Sequence, residues 1–162
     1  LSPPPRRPRP PALVALDQLV KFLVRSNIGL GESVPFLPHV LQFTYVQNTG
    51  AAFSLLEEHT WVLTLISLGA SILLAVLLFK KVFPHPFAMT CLSVVLAGAV
   101  GNLIDRAFLG YVTDMFQTLF INFAVFNVAD ICVVCGGIAF CVYYLLFHGK
   151  EDKDHDAPAS EG

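Results

Sequence analysis

The sequence predicts an all-α membrane protein with four transmembrane helices. Three observations lead there. Of 162 residues, 55% are hydrophobic and only 14% charged, against about 25% charged in an ordinary soluble domain. The apolar residues gather in long runs, with mean hydropathy +0.66. Lysines and arginines cluster before the first run, between the second and third, and after the fourth, as alternating topology requires. The net charge of −2 leaves no basic surface for nucleic acid, which is not an expected partner.

Residues 1–11 form a basic, proline-rich tail, Leu-Ser-Pro-Pro-Pro-Arg-Arg-Pro-Arg-Pro-Pro. Proline lacks the N–H and crowds the preceding turn, so this tail is expected to be extended rather than helical. The membrane domain is expected over 12–147, and a disordered cytoplasmic tail over 148–162. The sequence starts on leucine, and no separate cleavable signal peptide is expected. The first span serves as the anchor.

Residues 12–25 are the first apolar segment, about 21 Å long if helical, short of a hydrocarbon layer of about 30 Å. It carries Asp17 and Lys21 at i,i+4, acid first, the better orientation for a helical ion pair. Either this is a helix-end pair whose lysine reaches for the surface, or it braces a polar site from behind. Residues 27–59 are mixed and broken by Gly29, Gly31, Pro35 and Pro38. Within them Leu41, Phe43 and Tyr45 alternate with Gln42, Thr44 and Val46, which predicts a short strand. It leads to Asn48-Thr49-Gly50-Ala51-Ala52-Phe53-Ser54, where Asn48 and Gly50 suit a turn.

The second span is expected over 61–79, opening on the interfacial Trp61 and closing on Lys80-Lys81. The third covers 87–104 and ends in small residues, Ala97-Gly98-Ala99 and Gly101, which permit close helix contact. The fourth covers 128–147. Arg6, Arg7 and Arg9, then Lys80 and Lys81, then Lys150 and Lys153 fall on one side, the cytoplasmic one. The segments 27–59 and 105–127 then lie outside, with Arg106 their only lysine or arginine.

Four cysteines (Cys91, Cys132, Cys135, Cys141) lie inside apolar runs and read as packing residues. Cys132 and Cys135 have CxxC spacing but no second pair. The five histidines form no ligand pattern, so neither a metal nor a cofactor is expected.

The chemistry concentrates between Gly101 and Asp130. Asn102 and Arg106 share a helical face, with Gly98 one turn earlier. Asn127 and Asp130 share another. Asp114 sits in a segment that must return to the membrane. Ionisable groups at a membrane edge are costly and call for a function. Two close carboxylates in such a place cannot both ionise cheaply. They share one proton, and the pair can activate water while polarising an amide carbonyl. Asp105, Asp114 and Asp130 are all candidates, with Asp17 possible. The alternative is that they cap helices and pair with Arg106. A proton- or ion-coupled transporter, or a non-catalytic membrane subunit, is the rival function. No internal repeat of the kind many transporters carry is visible.

At these residues the chain resembles the bacterial lipoprotein signal peptidases (signal peptidase II, aspartic peptidase family A8). Four blocks carry the likeness over about residues 12–146: Asp17-Gln18-Leu19-Val20-Lys21; Asn48 to Ser54; Gly101-Asn102-Leu103-Ile104-Asp105-Arg106 with Val112-Thr113-Asp114-Met115-Phe116; and Phe126-Asn127-Val128-Ala129-Asp130. The resemblance implies four spanning helices with a small extracytoplasmic β-sheet, in a multi-pass protein of the bacterial plasma membrane. It implies an aspartic endopeptidase with Asp114 and Asp130 as the catalytic pair. Asn48, Gly50, Asn102, Arg106 and Asn127 would be substrate-binding, and Asp17, Lys21 and Asp105 supporting. The implied partners are membrane lipids and prolipoproteins whose cysteine carries a diacylglyceryl group, and the implied inhibitors are globomycin-type peptides. A monomer is expected. The family's first helix has an apolar half before the Asp-Lys block; here prolines and arginines stand there.

Overall fold

The computed structural model describes residues 10–50 and 59–155. Residues 1–9, 51–58 (with Ala51, Ala52, Phe53 and Ser54 of the second block) and 156–162 lie outside the described residues.

Helix α1 runs over Pro10–Asn27. It starts inside the proline-rich tail rather than after it, because a first-turn N–H has no helical partner and proline loses nothing there. Helices α2 (Thr60–Phe79), α3 (Pro86–Leu109) and α4 (Val128–His155) complete the helical set. Helix α4 continues past Phe147 into the segment expected as a tail. Among the described residues three helices, not four, are long and apolar enough to cross a membrane: α2, α3 and α4. Helix α1 fails on composition, since Asp17, Lys21 and Arg25 all fall within its 18 residues.

Helix α3 is bounded by its own chemistry. His85 caps its start, accepting from the Phe87 N–H, with Pro86 in the first turn. Gly110 ends it at φ 77°, a left-handed position that glycine fills without strain, and its N–H returns to the Arg106 carbonyl. The chain can therefore enter a strand two residues later.

Three strands form an antiparallel sheet in the order β1-β2-β3: Ser33–Leu37, Leu41–Asn48 and Val112–Thr118. The strand expected at 41–46 is β2. Strand β1 holds Pro35, tolerable because it is an edge strand. Strand β3 carries Asp114, which sequence alone placed in a returning loop. Val46 pairs with Asp114 and Asn48 with Val112. Beyond β3, Phe116 and Phe126 exchange backbone hydrogen bonds of 2.8 and 3.1 Å. That bridge returns the chain to the sheet and sets Asn127 at the head of α4. Val24, Tyr45 and Met115 form a small core that fixes the sheet on α1.

Helices α3 and α4 pack closely through glycine. A Cβ at Gly98 would overlap the Ala129 carbonyl oxygen and lie 2.8 Å from Val133 Cγ2. Backbone cannot yield as a flexible side chain does, so Gly98→Val should separate the helices. The expected loss is about 1–3 kcal/mol or more, the scale of overpacking, read as a lower melting temperature in detergent. An unchanged melting temperature would mean that α3 and α4 can part freely here.

Candidate active site

Asp17, Lys21, Asn48, Asn102, Asp105, Asp114, Asn127 and Asp130 converge where α1, α3, β2, β3 and the head of α4 meet. Asn127 and Asp130 form a reciprocal cap on α4. The Asp130 N–H donates to Asn127 Oδ1 at 2.9 Å, and the Asn127 N–H donates to Asp130 Oδ2 at 3.1 Å. This explains why an amide and a carboxylate stand three residues apart there. Asp130 therefore does cap a helix, as the structural alternative held.

Asp114 Oδ1 accepts from Asn127 Nδ2 at 2.7 Å, and its Oδ2 accepts from Asn48 Nδ2 at 3.0 Å. Asp130 Oδ1 accepts from Asn102 Nδ2 at 2.7 Å. Three carboxamides thus hold two carboxylates. Asn127 touches both aspartates, joining Asp114 through its side chain and Asp130 through both side chain and backbone. Gly50 stands behind Asn48: its N–H donates to Asn48 Oδ1 at 3.0 Å, which turns the amide nitrogen toward Asp114.

A second cluster lies behind the first. Lys21 Nζ is 2.8 Å from Asp17 Oδ2 and 3.4 Å from Asp105 Oδ2, and donates to Asn102 Oδ1 at 2.9 Å. Asp17 also accepts from the Ala129 N–H at 2.9 Å, and Asp105 from the Thr113 N–H at 2.9 Å. So the middle of α1 ties directly to the residue before Asp130 and, through Asp105, to the residue before Asp114. The pair at 17 and 21 is fully buried and does not reach for the surface.

Asp114, Asp130, Asn48, Asn102 and Arg106 all line one cavity of about 560 Å³. Most of its wall is apolar, including Ile66, Ala70, Phe123, Val133 and Val134. Asn127 is wholly buried behind the carboxylates, and Asp17, Lys21 and Asp105 lie outside the cavity wall. Arg106 forms no ion pair with a carboxylate among the described residues; its Nη1 donates to Ser67 Oγ at 3.2 Å.

Burial, and after it the Asp130 charge, push the Asp114 carboxyl up from 3.8 to about 6, while hydrogen bonds from Asn48 and Asn127 pull it back. Such a carboxyl can hold a proton near neutrality beside a second carboxylate. No group of histidine, cysteine, aspartate and glutamate fit for a metal occurs among the described residues.

Several participants escaped the sequence. Gln18 donates to Asp105 Oδ1 and to the Gly101 carbonyl, both at 3.0 Å. Arg25 donates to Thr113 Oγ1 at 2.9 Å. Ser67 is one of several hydroxyls, with Thr64 and Ser71, in an otherwise apolar run. Only Gln18 had a signal, its place between Asp17 and Lys21.

Comparison with known proteins shows the family of the chain. The sequence model of the family described as "Signal peptidase (SPase) II" matches residues 11–147. The "Lipoprotein signal peptidase" of Enterococcus faecalis is 47% identical over 144 residues, covering 88% of this chain and 89% of that one. Its namesake in Streptococcus agalactiae is 38% identical, covering 89% and 92%. A bacterial membrane enzyme solved by the in meso method superposes with a TM-score of 0.80 at 27% identity, covering 94% of this chain and 92% of its own. By its sequence and by its fold, this chain belongs to the signal peptidase II family.

Proposed function

We propose that this endopeptidase removes signal peptides from lipid-modified prolipoproteins, with Asp114 and Asp130 as its catalytic pair. One observation carries the assignment of the pair. Two carboxylates from different elements are locked by Asn48, Asn102 and Asn127 into the polar end of a cavity that is otherwise apolar.

The pair holds one proton. Its ionised member takes a proton from a water, whose oxygen attacks the scissile carbonyl carbon. The protonated member hydrogen-bonds to the carbonyl oxygen, and a proton passes to the leaving nitrogen as the C–N bond breaks. Asn48 and Arg106 line the cavity beside the pair and suit the carbonyl oxygens of an extended peptide. Asn102 and Asn127 act chiefly by holding the aspartates. Asp17, Lys21 and Asp105 support them from behind. The apolar wall suits acyl chains, each buried methylene adding roughly 0.8 kcal/mol. A diacylglyceryl-cysteine would place the bond just before it at the aspartates.

Helix α1 serves as a fourth membrane-embedded helix despite its charges. Asp17 and Lys21 point inward and are buried, whereas Leu16, Leu19, Phe22 and Leu23 are about half exposed. The face turned away from the protein is thus apolar and fits lipid. With the basic clusters cytoplasmic, the sheet and the site stand at the extracytoplasmic surface, where lipid-anchored substrates arrive by lateral diffusion.

The full chain, incubated with a diacylglyceryl-modified precursor, should cleave just before the modified cysteine, and globomycin should block cleavage. An intact precursor would sink the proposal. The same assay gives a pH test. Since Asp114 loses its proton as pH rises through about 6, log kcat/KM of the free enzyme should show an alkaline limb with an apparent pKa near that value. Its raised folded-state value also means that the carboxyl's contribution to stability is fully present below pH 3.8 and is lost as pH rises through about 6. A flat profile between pH 5 and 9 would contradict a shared proton.

A further inference from the structure

Arg106 combines a place in the cavity wall with a buried, unmatched donor. It lies on α3 and lines the cavity, yet no carboxylate forms an ion pair with it among the described residues. A guanidinium carries five N–H donors in a rigid planar fork. One, on Nη1, reaches Ser67 Oγ on α2 at 3.2 Å. Its Nε is buried without a hydrogen-bond partner among the described residues. A buried donor left unmatched is costly, so a residue kept in that state needs something to hold it there. Among the described residues Ser67 is the one polar tether.

Helix α2 otherwise offers this cavity apolar side chains, Ile66 and Ala70. Thr64 and Ser71 donate their hydroxyls to carbonyls of their own helix, Thr60 O and Ser67 O, both at 2.8 Å. Ser67 differs, because its oxygen accepts from a neighbouring helix.

We infer that Ser67 is a positioning residue for Arg106: its hydroxyl fixes the plane of the guanidinium, so that the remaining Nη donors meet a carbonyl or ester oxygen of the cavity's occupant. Because the fork is planar, anchoring one arm sets the direction of the other. For the identity of that occupant the inference rests on the peptidase function proposed above. The tether itself does not.

The test has two arms, on the full chain in detergent. In the first, arginine is labelled with 15N, and the Arg106 Nε–Hε signal is identified by its loss in Arg106→Lys. Ser67→Ala should speed exchange of that Hε with solvent by roughly three- to tenfold, the scale of one hydrogen bond, and Ser67→Thr should restore slow exchange. In the second, KM for the lipidated precursor should rise by a similar factor in Ser67→Ala, with a smaller change in kcat. Ser67→Thr should recover it, and Ser67→Ala should add little on top of Arg106→Ala. Unchanged Hε exchange in Ser67→Ala overturns the inference whatever the activity. So does a KM effect that adds fully to that of Arg106→Ala. If the wild-type chain left the precursor intact, the peptidase proposal would fall, and the exchange arm would still judge the tether.

Discussion

Asp114→Asn and Asp130→Asn should each lower precursor cleavage by roughly 10³-fold or more, while the protein still inserts and folds. Asparagine matches aspartate in shape but neither carries the charge that activates water nor shares a proton. The structural cost is small and calculable. Each carboxylate uses both oxygens as acceptors: Asp114 from Asn127 and Asn48, Asp130 from Asn102 and the Asn127 backbone. An amide replaces one acceptor by a donor, so each variant loses about one hydrogen bond, worth about 1 kcal/mol. Above about pH 6, where both carboxyls are ionised, removing one of the two charges offsets part of that loss, since the Asp130 charge helps to raise the Asp114 carboxyl. The measurement is single-turnover cleavage of a diacylglyceryl-modified precursor, alongside thermal melting of each variant in detergent. Cleavage above about a tenth of the wild-type rate by either variant would remove that residue from the pair.

What made the site legible was composition against context. Carboxylates and amides at the ends of apolar runs stand out, and both Asn127 with Asp130 and Asp17 with Lys21 have spacings that a helix turns into contacts. The structure uses both spacings, the first as a reciprocal cap and the second as a buried ion pair. Strand β3 was harder to see. Residues Val112, Thr113, Asp114 and Met115 are all buried, so the strand shows no alternation of polar and apolar faces. Only its pairing with β2 and the Phe116–Phe126 bridge make it a strand. Likewise, nothing local announces that Asp17 will accept from the Ala129 backbone, or Arg25 donate to Thr113. The length of α1 misled for a different reason. The prolines read as an extended tail, whereas the helix begins on Pro10 and turns Asp17 and Lys21 inward.

Those inward charges carry the second large effect. Lys21→Met should destabilise the protein by about 3–5 kcal/mol, the scale for breaking a buried ion pair from one side. Lys21 is wholly buried, and the side chains of Asp17 and Asp105 are only 2% and 1% exposed. Without the ammonium, two carboxylates face each other with no water to solvate them. Asn102 also loses one of the two donors on its Oδ1, keeping only Asn127 Nδ2 at 3.1 Å, and Asn102 is what holds Asp130 Oδ1. Activity should therefore fall along with stability, although Lys21 lies outside the cavity wall. The triple variant Lys21→Met, Asp17→Asn, Asp105→Asn separates charge from packing. It removes all three charges yet keeps a carbonyl oxygen able to accept from Ala129 and from Thr113. It should melt well above Lys21→Met alone, because exchanging a whole buried ionic cluster for neutral groups is far cheaper than removing one partner. Equal melting of the single and triple variants would show that Lys21 matters for its bulk. A near-wild-type Lys21→Met would show that the cluster behind the aspartates contributes nothing to holding them.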